Sequence, residues 1–315
     1  MLATVAGRKP RRVTSRAVKF PDSAPAHATP LAGLLPPPRM AQFCIRAAAR
    51  LLPRSYWYLD PDTALTILWD GHPIFVDPRD EQIAPSLILR GAWEPHVEAV
   101  VRRLARRGDR VIEVGANHGY FALIMANRIG PAGRLTSFEA NPRLARLVAR
   151  SLALCGYAAR AEVRAVAAGD HEGRVSFVTS RSHSGGGHLA AEGLVYEDER
   201  ILVDAPMLPL DLAAPEGRVD LLRMDAEGAE PLILAGAAGL LARSPGIVIC
   251  MEWDRIQMST RADVPALLDW LGAQGLRFWQ IMPNARLRAT TAGEMAVLGH
   301  SDVVLCRSHP YGKRT

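Results

Sequence analysis

Cysteine is scarce in this sequence, since the 315 residues include four: Cys44, Cys155, Cys250 and Cys306. No two of them stand in a C-x-x-C spacing, which argues against a zinc site and against a dense disulfide framework. Cys250 and Cys306 lie inside apolar runs, where a cysteine is more often a small core residue than a nucleophile. We therefore expect a protein of a reducing compartment, the cytoplasm.

Long apolar runs are also missing. The longest, at residues 232–242, ends at Arg243 and falls short of the roughly 20 residues that a membrane-spanning helix needs. The sequence therefore predicts no transmembrane segment. With 49% hydrophobic residues, 22% charged residues and a mean hydropathy of +0.03, the composition is that of a globular chain with a sizeable core. Collagen, coiled coils and small disulfide scaffolds are excluded.

Acidic residues are nearly absent from the first part of the chain. Before Asp60 there are ten basic residues and one acid, Asp22, so this segment carries +9 although the whole chain carries +6. The rest of the chain is therefore net −3 and offers no global attraction for nucleic acid. We expect no nucleic-acid partner.

The basic segment divides into two parts by its pattern. Residues 1–38 are rich in basic residues and proline, show no periodicity, and are predicted to form a disordered tail. Within residues 39–54, residues 40–52 are predicted to be helical, with Phe43, Ala47 and Leu51 on one face. This helix is expected to dock on the body of the protein or to make weak contact with an anionic membrane surface.

The remaining chain has a lead-in module followed by an alternation of strands and helices. Residues 39–92 hold the helix and a predicted β-hairpin, with strands at 65–69 and 74–76 around an Asp70-Gly71 turn. Residues 93–308 are predicted to form the main domain. The predicted strands and helices of its first half lie at 110–114, 120–129, 135–139, 142–155 and 163–167, after a helix at 95–107. Further strands are expected at 175–178, 220–224, 247–252, 278–281 and 302–306, and further helices at 231–241 and 264–274. This order indicates an α/β, Rossmann-like fold with a mostly parallel sheet and helices on both faces.

A polar loop interrupts the alternation at residues 180–200. It contains three consecutive glycines and two histidines, His183 and His188, and is too polar for the core, which makes it a candidate lid or acceptor loop. The two histidines have no recognisable third ligand, so we expect no metal.

The first strand of the alternation ends in a glycine-containing turn, at Gly115 and Gly119. Glycine permits close approach of the backbone to a ligand, and the helix that follows offers unpaired N–H groups to an anionic group. Two glycines at such a turn can equally solve a packing problem. This spacing alone does not decide between the two interpretations.

The next strand ends in an acid, Glu139, which stands 24 residues after Gly115. At the carboxyl end of the neighbouring strand, a carboxylate can accept both hydroxyl hydrogens of a ribose. A dinucleotide fits less well, because Asn117 and Tyr120 stand where its fingerprint needs glycine. A single nucleoside with a carboxylate tail fits better, and S-adenosylmethionine is such a ligand.

A second group of acids follows later strands. Asp225, Glu227 and Glu230 come directly after a predicted strand, and Glu252 ends the next one. Glu230 fits a helix N-terminal acid that complements the helix dipole. Asp225 and Glu227 are the candidate catalytic residues, because the predicted position at the strand end opens on the cleft. His118, His183 and His188 are alternative bases.

In five stretches the chain resembles the FkbM-type S-adenosylmethionine-dependent methyltransferases. The matching stretches are 111–119 (like V-I-D-V-G-A-N-x-G), 138–142 (like F-E-P-N-P), 166–173 (like A-V-G-D-x-x-G), 224–230 (like I-D-V-E-G-A-E) and 251–252. Glu113 replaces the usual Asp, and Ala140 replaces a frequent Pro. The resemblance implies a class I methyltransferase fold with a seven-stranded sheet and S-adenosylmethionine as cofactor.

The resemblance also implies roles for individual residues. Glu113, Gly115, Asn117 and Gly119 would hold the methionine part of the cofactor, Glu139 its ribose, and Asp225 would lie beside the methyl group. The hypothesis is O-methylation of a hydroxyl on a sugar, glycolipid or secondary metabolite, so the expected partner is a small-molecule or glycan acceptor. The alternatives are a nucleic-acid or N-methyltransferase, an inactive nucleoside-binding protein of the same fold and, third, a nicotinamide oxidoreductase.

Overall fold

The structure is a computed structural model that describes residues 55–180, 188–189, 200–214 and 216–312. The predicted tail at 1–38 and the predicted helix at 40–52 lie outside these ranges. Most of the predicted lid or acceptor loop, including His183 and the side chain of His188, also lies outside them. These expectations stay predictions.

The first described elements form a three-stranded antiparallel sheet, where the sequence predicted a two-stranded hairpin. Its strands are β1 (Tyr56–Asp60), β2 (Thr63–Ile67) and β3 (Pro73–Val76), in the order β1-β2-β3. Most residues of β2 and β3 are buried, whereas all five residues of β1 are exposed. β1 was missed because its residues show no alternation between apolar and polar side chains.

The main sheet has eight strands. They are β4 (Arg110–Val114), β5 (Arg134–Phe138), β6 (Ala161–Arg164), β11 (Leu221–Met224), β12 (Val248–Trp253), β13 (Arg277–Ile281), β14 (Leu287–Thr290) and β15 (Ser301–Cys306). Their order is β14-β13-β15-β12-β11-β4-β5-β6. β4, β5, β6, β11 and β12 run parallel, and β15 is antiparallel to both of its neighbours. This arrangement confirms the predicted class I fold, and β14 adds one antiparallel strand at the edge.

The order of the strands reverses beside β4, and this position locates the site. β5 and β6 follow β4 on one side, whereas β11 and β12 lie on the other. Two connections therefore leave the sheet in opposite directions from the carboxyl ends of β4 and β11, and they leave a crevice between them. The predicted bounds of β4, 110–114, are confirmed.

Helices cover the two faces of the main sheet and enclose two apolar cores. They are α1 (Ala84–Arg90), α2 (Pro95–Leu104), α3 (Tyr120–Ile129), α4 (Pro142–Leu154), α5 (Leu210–Ala213), α6 (Glu230–Ala235), α7 (Ala238–Arg243), α8 (Arg255–Ser259), α9 (Val264–Ala273) and α10 (Ala292–Val297). α3 buries eight of its ten residues, because it lies between the sheet and the helices α2 and α4. Its predicted bounds are also confirmed. No helix in the described ranges is long and apolar enough to cross a bilayer.

A buried polar network joins the lead-in strands to the main domain through Glu98 of α2. The Glu98 carboxylate accepts hydrogen bonds from Trp69 Nε1 at 3.0 Å, from Tyr120 Oη at 2.6 Å and from Arg102 Nε at 2.6 Å. Arg102 also pairs with Asp70, in the turn between β2 and β3. Because Glu98 is 1% exposed, this network stabilises the fold only while every partner is present.

Two predictions of local structure are wrong for reasons that lie in tertiary contacts. The strand predicted at 163–167 ends at Arg164. The next strand, β7 (Ala167–Gly169), belongs to a second sheet and pairs there with β10 (Arg200–Pro209). The other strands of this second sheet are β8 (Gly173–Ser180) and β9 (His188–Leu189). The predicted helix at 231–241 is two helices, α6 and α7, separated at Gly236. A Cβ at Gly236 would lie 1.9 Å from the carbonyl oxygen of Gly169.

Candidate active site

A cavity of about 370 Å³ opens at the crevice where the strand order reverses. Its volume lies in the range of small-molecule sites. The turns that follow β4, β5 and β11 contribute to its wall, as do Glu252 near the end of β12 and residues next to α1 and α2. The residues that the sequence singled out in this wall are Gly115, Asn117, His118, Glu139, Asp225, Glu227 and Glu252. The structure therefore brings acids from three separate strand ends into one cavity.

The two glycines of the first turn are required by the fold itself. Gly115 has φ +76°, and a Cβ there would lie 1.8 Å from the carbonyl oxygen of Asp225. Gly119 has φ +88°, does not line the cavity, and a Cβ there would lie 3.0 Å from Val148 in α4. Packing therefore accounts for glycine at both positions, while Gly115 also lines the cavity, and the cofactor contacts expected of Gly115 and Gly119 stay predictions. Asn117, between them, also adopts a left-handed conformation with φ +51°.

Glu139 lies at the end of β5, where the sequence placed it. Its side chain is buried, and its two oxygens accept hydrogen bonds from the backbone N–H groups of Asn117, at 2.7 Å, and Asn141, at 2.9 Å. Burial raises the pKa of this carboxyl to about 7, although the two N–H donors favour the charged form. Each carboxylate oxygen can accept more than one hydrogen bond, so Glu139 retains capacity for ligand hydroxyls.

Glu113 lies behind the wall of the cavity rather than in it. It is fully buried on β4, and its Oε2 accepts a hydrogen bond from Ser137 Oγ at 2.7 Å. Its other oxygen lies 3.9 Å from Arg223 Nη1. Burial raises the pKa of the Glu113 carboxyl, and the charge of Arg223 opposes this effect. The structure therefore shows no surface of Glu113 on the cavity, where the resemblance implied a contact with the cofactor.

Arg223 is a site residue that sequence reasoning missed. Its guanidinium is 5% exposed, lines the cavity and donates to Asp225 Oδ2 at 2.9 Å and to the Gly115 carbonyl oxygen at 3.3 Å. It also lies over the ring of Phe121, 4.1 Å from the centroid. The signal was present, because an arginine inside the apolar strand β11 needs partners for its charge. Arg223 thus fixes the orientation of the Asp225 carboxylate.

Glu227 occupies the turn after β11 in a strained backbone conformation, with φ +50°. Its Oε2 accepts a hydrogen bond from Gln257 Nε2 at 3.1 Å. Burial and the neighbouring charge of Asp225 raise the pKa of Glu227 to about 7. A non-glycine residue with positive φ stores strain that is common at functional sites. Geometry and pKa both suit a group that exchanges a proton near neutral pH.

Two further acids complete this wall. Glu252, at the end of β12, lines the cavity as expected, and burial together with the charges of Asp225 and Glu227 raises its pKa. Glu94 was not predicted. It precedes α2 with φ +41°, its Oε2 is buried without a hydrogen-bond partner, and burial followed by the charge of Asp302 raises its pKa to about 8. Nothing in the sequence around Glu94 marks it, because the residue precedes the first strand of the alternation and belongs to no recognised motif.

Asp225, Glu227 and Glu252 offer carboxylate oxygens that lie within 4.8 Å of one another. This spacing is compatible with a divalent cation, whereas the sequence predicted no metal. Burial, and after it the charges of the neighbouring acids, raises the pKa of both Glu227 and Glu252. The cluster can therefore hold protons near neutral pH, when the acids are not all ionised.

His118 lines the same cavity after the first turn. It is 1% exposed, and neither ring nitrogen has a hydrogen-bond partner. Burial lowers the pKa of His118 to about 4, against the charge of Asp80, whose Oδ2 lies 4.0 Å from Nδ1. The imidazole is therefore neutral at pH 7, and its nitrogens and Glu94 Oε2 are buried polar atoms for a polar ligand to satisfy.

Similarity to curated proteins covers a short segment of the chain. A stretch of 65 residues is 42% identical to a protein-L-isoaspartate O-methyltransferase of Ignicoccus hospitalis, and covers 20% of this chain and 31% of that protein. A stretch of 87 residues is 38% identical to a protein-L-isoaspartate O-methyltransferase of Methanopyrus kandleri, and covers 26% of this chain and 38% of that protein. The chain thus spans about a third of the length of these relatives.

Solved structures are similar at low sequence identity. The O-methyltransferase TomG from Streptomyces achromogenes, in complex with SAM, is 17% identical over 68% of this chain and 79% of that chain, with a TM-score of 0.40. The O-methyltransferase from Bacillus cereus, in complex with SAH, is 13% identical over 87% of this chain and 92% of that chain, with a TM-score of 0.39.

The family follows from a match over more than half of the chain. The sequence model of the methyltransferase FkbM domain matches residues 113–278, which include β4, β5, β11, β12 and the turns that carry the cavity acids. The chain therefore belongs to the FkbM methyltransferase family, whose cofactor is S-adenosylmethionine.

Proposed function

We propose that this protein is an S-adenosylmethionine-dependent O-methyltransferase that acts on a hydroxyl of a sugar, glycolipid or other secondary metabolite. The observation that carries the proposal is one cavity that combines Glu139, at the end of β5, with Asp225 and Glu227, after β11. Membership of the FkbM family supports the reaction class. The acceptor class rests on the earlier resemblance and on the presence of acids that can remove a hydroxyl proton.

The residues of the cavity fit the cofactor. Glu139 retains lone pairs for the two ribose hydroxyls, since each of its oxygens accepts one backbone hydrogen bond, from Asn117 or Asn141. His118 and Glu94 line the cavity with buried polar atoms that have no hydrogen-bond partner and could bond to a polar ligand. Apolar side chains suited to a purine line the same cavity: Ile83, Val114, Phe121, Phe138, Leu144 and Val166. When bound, S-adenosylmethionine supplies an electrophilic methyl group.

The chain's own contribution is proton removal and orientation. Glu227 is the proposed general base, because its pKa of about 7 lets it be ionised at neutral pH and still accept a proton. Asp225, held by Arg223 at 2.9 Å, is the proposed charge that orients the acceptor hydroxyl. Alignment of the acceptor atom supplies most of the catalysis in a displacement of this kind.

An amine acceptor is the second candidate. Asp225, Glu227 and Glu252 line the cavity together with Glu94, and Arg223 is the basic partner seen among them. Such a wall attracts a cation, so an N-methyltransferase reaction on a small amine is compatible with the same geometry. A methylation screen with matched alcohol and amine acceptors separates the two, and formation of a methyl ether supports the primary proposal.

Calorimetric titration with S-adenosylhomocysteine is the direct test of the cofactor site. We expect micromolar binding to the full chain, and loss of binding in Glu139→Ala. A folded chain that does not bind S-adenosylhomocysteine would contradict the proposal. Binding without turnover on any alcohol or amine would favour the inactive nucleoside-binding protein instead.

A further inference from the structure

The lead-in sheet exposes a run of large apolar side chains on one short strand. Tyr56, Trp57, Tyr58 and Leu59 of β1 are 42%, 47%, 59% and 49% exposed, and we name these four residues the β1 patch. Other exposed large apolar residues in the described ranges, such as Leu89 and Val297, do not stand in such a run. Contiguous exposed apolar surface usually marks a contact site.

The strand that carries this patch is an edge strand. The sheet order is β1-β2-β3, so within the described residues β1 pairs with β2 on one side. Side chains of a strand alternate between its two faces, and here residues on both faces are exposed. A flat partner packed on one face of the sheet would cover only half of the patch. An occupant that surrounds the strand fits better.

The sequence beside the patch is strongly basic. The ten basic residues of the +9 segment end at Arg54, two residues before Tyr56, and the segment contains a single acid, Asp22. After the strand, Asp62 is paired with Arg79, which offsets its charge. The rest of the chain is net −3, so along the sequence the excess positive charge lies in the segment that precedes the β1 patch. Charge complementarity therefore favours an occupant with negative charge.

We propose that the β1 patch is a contact surface for an anionic membrane, and that the adjacent basic segment reinforces this contact. Tryptophan and tyrosine prefer the boundary between lipid headgroups and hydrocarbon, and basic residues are attracted to anionic headgroups. A second copy of the chain is a poorer occupant, because it carries the same +9 segment before its own β1 and offers no complementary negative charge there. The inference is independent of the proposed methylation reaction.

Vesicle sedimentation of the full chain tests the proposal. The probes are vesicles of phosphatidylcholine alone and vesicles of an equimolar mixture of phosphatidylcholine and phosphatidylglycerol. We expect binding to the mixed vesicles that weakens with salt, and about tenfold weaker binding for the double variant Trp57→Ser and Tyr58→Ser, which loses apolar contact area. Val297→Ser is the matched control, because Val297 is 79% exposed and far from β1 along the chain. Its binding should equal that of the original chain.

Fluorescence quenching keeps the proposal testable if the double variant does not fold. The chain has six tryptophans, so the signal of Trp57 is the difference between the original chain and Trp57→Phe. We expect brominated lipid in the mixed vesicles to quench this difference signal.

Three results would overturn the proposal. They are absence of binding to the mixed vesicles, equal binding by the folded double variant, and a Trp57 signal that brominated lipid does not quench. Dimerisation without lipid that the double variant abolishes would assign the patch to a second copy instead.

Discussion

Glu139 offers the sharpest test of the cofactor site, because the structure gives this residue two separate tasks. Its carboxylate accepts the N–H groups of Asn117 and Asn141, at 2.7 and 2.9 Å, and the proposal adds the two ribose hydroxyls. Glu139→Ala removes both sets of bonds. A loss of affinity for S-adenosylhomocysteine in this variant would therefore report the ribose contact and damage to the turn together.

A ligand change separates these two contributions. Hydrogen bonds to a charged group contribute about 1.5–3 kcal/mol each, so losing two ribose bonds should weaken binding by at least about a hundredfold. We expect the original chain to bind S-adenosylhomocysteine at least about a hundredfold more tightly than its analogue without the 2′ and 3′ hydroxyls. Glu139→Ala should bind both ligands with nearly equal affinity, since its partner for the hydroxyls is gone.

The pH dependence supplies a second signature of the same contact. Burial raises the pKa of Glu139 to about 7, and only the ionised carboxylate accepts from both hydroxyls. Affinity of the original chain for S-adenosylhomocysteine should therefore rise as the pH increases through about 7 and fall below it, whereas Glu139→Ala should lack this transition. Calorimetric titration across pH measures both effects. If Glu139→Ala still prefers the ligand with ribose hydroxyls, the ribose assignment is refuted and Glu139 acts only on the turn.

Three further predictions concern the base, the turn and the metal. If Glu227 is the base, the rate of methyl transfer should increase as the pH rises through about 7. Glu227→Gln should abolish this pH dependence, while its affinity for S-adenosylhomocysteine stays within about twofold of the original. A pH transition that persists in Glu227→Gln would assign the base to another residue. Gly115 and Gly156 both have positive φ, at +76° and +73°, but only a Cβ at Gly115 would clash, since a Cβ at Gly156 meets nothing within 4 Å. Gly115→Ala should therefore lower the midpoint of thermal unfolding far more than Gly156→Ala. Equal shifts of the midpoint would contradict the packing interpretation. Dialysis against EDTA should leave turnover unchanged, because a divalent cation needs all three acids of the Asp225, Glu227 and Glu252 cluster ionised, and the raised pKa of Glu227 disfavours that state. Loss of turnover after dialysis, with recovery on adding Mg²⁺, would show a metal site.

The sequence predicted best where local pattern and tertiary structure agree. The bounds of β4 and α3 were predicted to the residue, because a buried parallel strand followed by an apolar helix leaves a continuous signal. The positions of Asp225, Glu227, Glu139 and Glu252 at strand ends followed from the same alternation, since parallel strands present their carboxyl ends at one edge.

Contacts between distant segments account for what the sequence did not predict. Gly236 divides a predicted helix because the Gly169 carbonyl lies against it, and no periodicity within 231–241 encodes that approach. Glu94 lines the cavity from the start of α2, outside the region of the FkbM match. Glu113 occupies the expected strand, but the burial of its side chain behind the wall depends on the register of β4 with Ser137 and Arg223.

The Glu98 network has a consequence for how this protein can be divided or recombined. The predicted border at residue 92 separates Trp69 and Asp70 from their partners on α2. A shortened chain beginning there would leave the Glu98 carboxylate, 1% exposed in the intact fold, without its indole donor, and Arg102 without one of its two acids. A portion that could be transplanted with this network intact therefore begins before Trp69, well ahead of the segment by which the family is recognised.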